Sequence, residues 1–564
     1  MTAGTDFEMY PAKSQFRPGE RVHILLEAPD NCRGDTLVDI RVFHHHCLAE
    51  ARTVSVKQMP AGAEGIDLGV FAPGGYRVVA HLESGSQSIT LKSRSITLRS
   101  AFDVRAHWRE APRYGFLCDF QSAKSGGEIQ RFFRKFHLNV VQFYDWMERH
   151  DALVPKTPEF TDPMGRRLSA EEILSRIEAL REIGSAPLGY AAVYASLADY
   201  ASAHPEEGLY DNQGVQYSLI DIFYLMDISE GSPWRNHILE EFARAIEFGF
   251  EGLHLDQYGY PKSARRSDGS ALWLDDAYPS FIDACRRRLG DGVGLIFNAV
   301  SGYPVHSVGR SAQDAVYVEV WPPMVRYRHL SELVARIRAA VGGSKKVILA
   351  AYFQPLRETK DADPDAVARS TLLLSAVIFV SGGYHLLLGE SGGILTEAYY
   401  PDYGPMVPAL AEPLRAMYDI LTADAELLSA ADVIDVTWSF AGGINDQILV
   451  DGAPSAVEPE AGKIWLHVTT TPHGLVLHLV NLLWIMREEW NCLHTEPFRA
   501  TPPLALTIEW NHPLEDVWVQ RAEEAVWQKV KWSWQPHVRG RGIHLTVAPF
   551  DVWSMVFVPY QRRD

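Results

Sequence analysis

At 564 residues the chain is too long for one hydrophobic core, so two to four domains are expected. A formal charge of −18 argues against nucleic acid, which demands a basic face, and disfavours an anionic membrane surface, while 47% apolar and 22% charged residues are ordinary for a globular protein. Five scattered cysteines (Cys32, Cys47, Cys118, Cys285 and Cys492), odd in number and without a CxxC pair, point to reduced thiols.

Met1–Pro11 has neither a basic n-region nor an apolar run, so no secretory signal is expected and a cytoplasmic location follows as an expectation. Up to about residue 105, Arg21–Glu27, Leu37–His44, Gly75–Leu82 and Gln87–Leu98 alternate apolar and polar side chains. Arg17-Pro18-Gly19 and Ala72-Pro73-Gly74-Gly75 supply turns between them. Residues 1–105 therefore read as an immunoglobulin-like β-sandwich. His44-His45-His46-Cys47 does not read as a metal site, because consecutive residues on a strand alternate faces.

From 106 to 425 the rhythm becomes strand, helix, strand. Expected strands are Tyr114–Phe120, Val140–Trp146, Pro187–Tyr194, Gly252–Asp256, Val293–Asn298, Ala315–Glu319, Lys346–Tyr352 and Tyr384–Gly389. Ala170–Ile183, Arg235–Phe248 and Leu330–Val341 carry apolar residues at helical spacing, and Ser169 with Glu172 forms a capping-box signature. Eight strands with intervening helices predict a (β/α)8 TIM barrel. An open doubly wound sheet would normally show a Gly-rich phosphate loop after its first strand, and none is present. The apolar stretch Leu372–Val380 is too short to span a bilayer. Strands return at Lys463–Thr469, Gly474–Asn481, Leu504–Ile508 and Gly542–Val547, predicting a second β-sandwich over residues 426–564.

Barrel enzymes work at the C-terminal strand ends, so the terminal polar residues are the candidates: Asp119, Asp145, Asp256, Asn298, Glu319, Tyr352 and Glu390. Asp256 ends the apolar run within GFEGLHLDQYG (Gly249–Gly259), and Glu319 lies 63 residues on, in YVEVWP (Tyr317–Pro322). Two carboxylates flanked by Tyr258, Tyr317 and Trp321 are what cleavage of a glycosidic bond requires. The expected barrel mouth lacks an HExxH or His-x-His arrangement, so no metal and no cofactor are expected. The acidic Asp361–Asp365 segment reads as a solvated turn.

With QFYDWMERHD (Gln142–Asp151) and the opening segment Tyr10–Val22, these motifs resemble glycoside hydrolase family 66, the endodextranases and cycloisomaltooligosaccharide glucanotransferases. The resemblance covers most of the chain. It implies retaining hydrolysis of α-1,6-glucosidic bonds in dextran or isomaltooligosaccharides, with Asp256 as nucleophile and Glu319 as acid/base. It places Tyr144, Asp145, Trp146 and His150 in the sugar cleft, and Asn298, Trp321, Tyr352, Asp119 and Glu390 join them by position. The implied partner is an α-glucan, with neither nucleic acid nor membrane. Two alternatives stay open: transfer to another sugar or a cyclic glucan, and a non-catalytic carbohydrate-binding protein. Cyclising members carry an inserted binding module in the barrel, and no gap between the expected strands has room for about 100–150 residues. Where that family usually has small or aliphatic residues after the nucleophile, this chain has Gln257-Tyr258, so Tyr258 is expected to reshape the subsite.

Overall fold

The computed structural model describes residues 7–27, 36–56, 65–84, 96–121, 126–358, 362–398, 403–537 and 540–560. Its centre is one curled sheet whose parallel path runs Tyr384–His385, Lys346–Ala350, Ala315–Glu319, Gly294–Asn298, Gly252–Asp256, Ala186–Ala192, Val140–Phe143, Tyr114–Leu117 and Leu388–Gly389. The path starts and ends on one short stretch of chain: Tyr384–His385 pairs with Ile348–Leu349, and Leu388–Gly389 pairs with Gly115–Phe116. The expected single strand Tyr384–Gly389 is therefore two pieces parted by Leu386 and Leu387.

Val140–Phe143 and Gly294–Asn298 are buried along their whole length, as strands covered on both faces must be. The cover comes from the helices Gly126–Lys135, Ala170–Glu182, Pro233–Phe248, Leu274–Leu289, Tyr327–Ala340 and Pro364–Val380. Pro364–Val380 contains the apolar stretch noted above and is buried almost throughout. Among the described residues no helix is long and apolar enough to cross a membrane. Ser169 caps its helix by accepting from the Glu172 N–H at 3.4 Å, but only half of the expected box forms. The Glu172 carboxylate accepts from Arg176 Nε at 2.6 Å instead. The second expected strand stops at Phe143 because Asp145, at φ 44°, turns the chain out of the sheet.

Before the curled sheet, Glu8–Pro11, Arg21–Glu27 and Gly65–Val70 form one antiparallel sheet, and Cys47–Val56, Thr36–His44, Gly74–Ser84 and Ile96–Val104 a second. Both feed one apolar cluster that includes Val22, Ile24, Ile40 and Val78. Of the expected strand Gln87–Leu98, residues 87–95 lie outside the described residues, as do Cys32 and Asp361. His45 and His46 are not on a strand at all; they form the two-residue turn between Thr36–His44 and Cys47–Val56. The three imidazoles have separate partners: His44 faces the Gly75 carbonyl, His45 faces Asp424, and His46 lies against Trp518. After the curled sheet, the strands around Ile464–Thr471 and Gly474–Asn481 and those around Leu504–Glu509 and Gly540–Val547 form two further sheets over a common cluster.

Buried ion pairs lock the first strands to the curled sheet. Arg113 grips Asp103 through both terminal nitrogens at 2.8 and 3.0 Å, and donates to the Ser14 and His137 carbonyls. Neither side chain has any exposure. Arg113→Met would strand the buried Asp103 charge with Arg105 alone. We expect a loss of about 3 kcal/mol or more, read as a lower urea midpoint.

Candidate active site

A cavity of about 610 Å³ opens at the C-terminal ends of the parallel strands. Its chemistry lies on three neighbouring strands. Asp256 ends Gly252–Asp256, Glu319 ends Ala315–Glu319, and Asn298 ends the strand between them. Asn298 Nδ2 donates to Asp256 Oδ1 at 2.8 Å, and its Oδ1 accepts from the Glu319 N–H at 3.4 Å. Tyr190 OH donates to Asp256 Oδ2 at 2.7 Å, so both oxygens of Asp256 accept short bonds. Glu319 is held more loosely, by Tyr352 OH at 3.0 Å and Trp321 Nε1 at 3.3 Å.

Burial sets the electrostatics. It pushes the Asp256 carboxyl up to about 7, with the neighbouring Glu319 charge as second cause and the Tyr190 and Asn298 donors opposing. Burial raises Glu319 as well, against its Trp321, Tyr352 and Asn298 bonds. Two such groups resist double ionisation and titrate as a pair. Beneath Asp256, His254 stacks between Tyr114 and Tyr190 and meets Tyr114 OH at 2.9 Å through Nδ1. Burial lowers it to about 3, so this imidazole stays neutral.

A polar wall faces the pair. Gln142, Asp145 and His150 are buried and line the cavity. Among the described residues, Gln142 Oε1, Asp145 Oδ1 and both His150 nitrogens find no hydrogen-bond partner. His150 Nε2 stands 3.7 Å from Asp145 Oδ1, too far for a hydrogen bond. Burial raises Asp145 to about 7 and lowers His150 to about 3. Each unmet group costs about 1–3 kcal/mol, a cost that polar hydroxyls entering the cavity would remove. Arg166 fixes this wall, donating to the Asp145 carbonyl at 3.1 Å and to Asp162 Oδ2 at 2.7 Å.

Of the residues expected from sequence, Asp256, Glu319, Tyr144, Asp145, His150, Tyr258, Trp321 and Tyr352 line one cavity. Four do not. Trp146 is core: it has no exposure, packs on Phe248 and Phe250, and donates to the Tyr190 carbonyl at 3.1 Å. Glu390 is a buried brace that accepts the backbone N–H of Cys118 and Asp119 at 2.6 and 2.8 Å. Asp119 stands beside it, accepting from the Gln121 N–H at 3.4 Å. Asn298 sits between the two carboxylates, bonding both without lining the cavity. Sequence reasoning missed Tyr190, His254 and Gln142. The signal existed for His254, since it sits two residues before Asp256 and side chains at that spacing share a strand face.

Among the described residues, one group of possible metal ligands is present, His204, Glu206 and Glu207, with donor atoms within 4.8 Å of one another. It lies off the cavity, and Glu207 already accepts from Tyr200 OH at 3.2 Å. Asp363, in the acidic segment, caps the helix after it by accepting from the Asp365 and Ala366 N–H groups.

A model of glycosyl hydrolase family 66 matches residues 11–557. A cycloisomaltooligosaccharide glucanotransferase of Niallia circulans is 27% identical over 280 residues, 45% of this chain and 29% of that protein. A dextranase of Streptococcus salivarius is 22% identical over 452 residues, 69% of this chain and 54% of that one. The chain thus spans between 29% and 54% of the length of these curated relatives. A solved structure of a Paenibacillus sp. cycloisomaltooligosaccharide glucanotransferase complexed with cycloisomaltoheptaose superposes with a TM-score of 0.87 at 20% identity, covering 98% of this chain and 99% of that one. At that identity the likeness shows the fold.

Proposed function

Because the chain belongs to glycosyl hydrolase family 66, we propose that it cleaves α-1,6-glucosidic bonds of dextran or isomaltooligosaccharides with retention, using Asp256 as nucleophile and Glu319 as acid/base. The curled sheet is read as a (β/α)8 barrel over residues 106–425, with β-sandwiches over 1–105 and 426–564. One observation carries the mechanism: both oxygens of Asp256 accept short hydrogen bonds, whereas Glu319 is loosely held in the same cavity. A shared proton therefore rests on Glu319, and Asp256 keeps its charge.

The ionised Asp256 attacks the anomeric carbon while the Glu319 O–H protonates the departing glycosidic oxygen. A glycosyl ester of Asp256 forms and the aglycone leaves. Glu319, now a carboxylate, takes a proton from water, and the hydroxide oxygen displaces Asp256 with a second inversion. Gln142, Asp145 and His150 supply polar contacts to sugar hydroxyls. A sugar hydroxyl in place of water gives transglycosylation, and the apolar mouth formed by Leu219, Ile220 and Phe223 favours that second reading.

The pair sets the pH profile. Its last proton leaves in a range above that of an ordinary carboxyl, because burial raises both groups. Raising the pH through that range removes the proton Glu319 must donate, so kcat/KM should fall on the alkaline side. A profile flat to pH 9 would contradict the assignment. The substrate is tested by product analysis on dextran, isomaltooligosaccharides, cyclic α-1,6-glucans, starch and nigeran. Isomaltooligosaccharide products support the reading; turnover confined to starch or nigeran moves the substrate elsewhere.

A further inference from the structure

The roof of the cavity carries a residue in a conformation its chemistry resists. Ser218–Leu219 pairs antiparallel with Phe223–Tyr224, and the Leu219 carbonyl accepts from the Ile222 N–H at 3.2 Å. The two central residues of that turn, Ile220 at φ 49° and Asp221 at φ 57°, are both left-handed. Gly, Asn and Asp dominate such turns. Asp221 conforms, and Ser218 Oγ donates to its carboxylate at 3.2 Å. Ile220 does not conform, because a β-branched side chain is a genuine outlier there.

Ile220 is also 58% exposed and lines the catalytic cavity. The chain thus holds a stiff apolar side chain in a strained backbone at the mouth of its active site, the kind of strain that gathers at functional positions. The turn is tied to the segment that follows Asp256. Tyr260 OH donates to the Ser218 carbonyl at 2.9 Å, Tyr194 OH donates to the Tyr260 carbonyl at 3.0 Å, and the Tyr258 N–H donates to Tyr194 OH at 2.7 Å. Whatever rests on Ile220 is therefore positioned relative to Asp256.

We propose that Ile220 is a specificity-determining residue, a platform for a glucosyl unit beyond those at the carboxylate pair, so that the site prefers chains long enough to reach it. The inference rests on the α-1,6-glucan reading. An α-1,6 linkage has an exocyclic methylene and an extra rotatable bond, so an outer unit swings freely unless an apolar contact holds it. An exposed Ile gains by being covered, and burying part of it is worth about fivefold in affinity.

The test is calorimetric binding of isomaltotriose and isomaltohexaose to Glu319→Gln protein, with and without Ile220→Gly. Glycine and asparagine tolerate the left-handed turn, so Ile220→Gly and the parallel variant Ile220→Asn should melt no lower than the parent. The expected result is an isomaltohexaose affinity lowered about fivefold with isomaltotriose unchanged. Unchanged or tighter isomaltohexaose binding in both variants overturns the inference and leaves the substrate reading standing. Failure of Glu319→Gln to bind either sugar overturns the substrate reading and the inference together.

Discussion

Asp256→Asn should lower kcat by roughly 10⁴-fold or more on every glucan the protein turns over, because the step that makes the covalent ester loses its nucleophile. The fold should survive. Asn is nearly isosteric, its amide oxygen still accepts from Asn298 or Tyr190, and relieving a buried charge opposes destabilisation. A sharper form of the prediction uses stereochemistry. Asp256→Gly leaves room where the carboxylate stood, and azide entering there should displace the aglycone in one inversion, giving a β-glucosyl azide. Parental activity in Asp256→Asn, measured by reducing-sugar release, would remove the residue from the mechanism.

Glu319→Ala should separate the two half-reactions. Natural glucan linkages, which need a proton on the leaving oxygen, should lose roughly 10²–10⁴-fold. An aryl α-glucoside such as the 2,4-dinitrophenyl compound leaves without that proton, so its first step should stay fast and the glycosyl ester should accumulate. Azide should then restore turnover by replacing the base-activated water, and here the product should be the α-azide, after two inversions. The variant also removes the charge that is the second cause of the raised Asp256 carboxyl, so the remaining titration should move to lower pH. Equal losses on aryl glucoside and glucan, with no azide response, would contradict the acid/base role.

How far the sequence revealed this site follows from what strand geometry makes visible. Asp256 and Glu319 were legible because each ends an apolar run, and a charge at that place stands out against its neighbours. Tyr190 and His254 were not read because they sit inside apolar strands, where a polar side chain looks like core until its partner across the sheet is known. Trp146 and His150 share one motif, yet the left-handed Asp145 between strand and loop sends the first into the core and the second into the cavity. Glu390 obeyed the strand-end rule and still became a brace, since the split last strand points it at the Cys118 and Asp119 amides. The roof at Leu219, Ile220 and Phe223 comes from an insertion between strand and helix. Its approach to the cavity depends on long-range bonds such as Tyr260 OH to the Ser218 carbonyl, which no local pattern encodes.

The most direct test of the central claim is to trap the glycosyl ester with 5-fluoro-α-glucosyl fluoride, which slows its breakdown, and to map the label by mass spectrometry. One fluoroglucosyl adduct is expected on the peptide spanning Gly249–Gly259, localised to Asp256 and absent from Asp256→Asn protein. An adduct on another residue would contradict the assignment. Turnover that leaves no adduct and releases the β-anomer first would show an inverting enzyme instead.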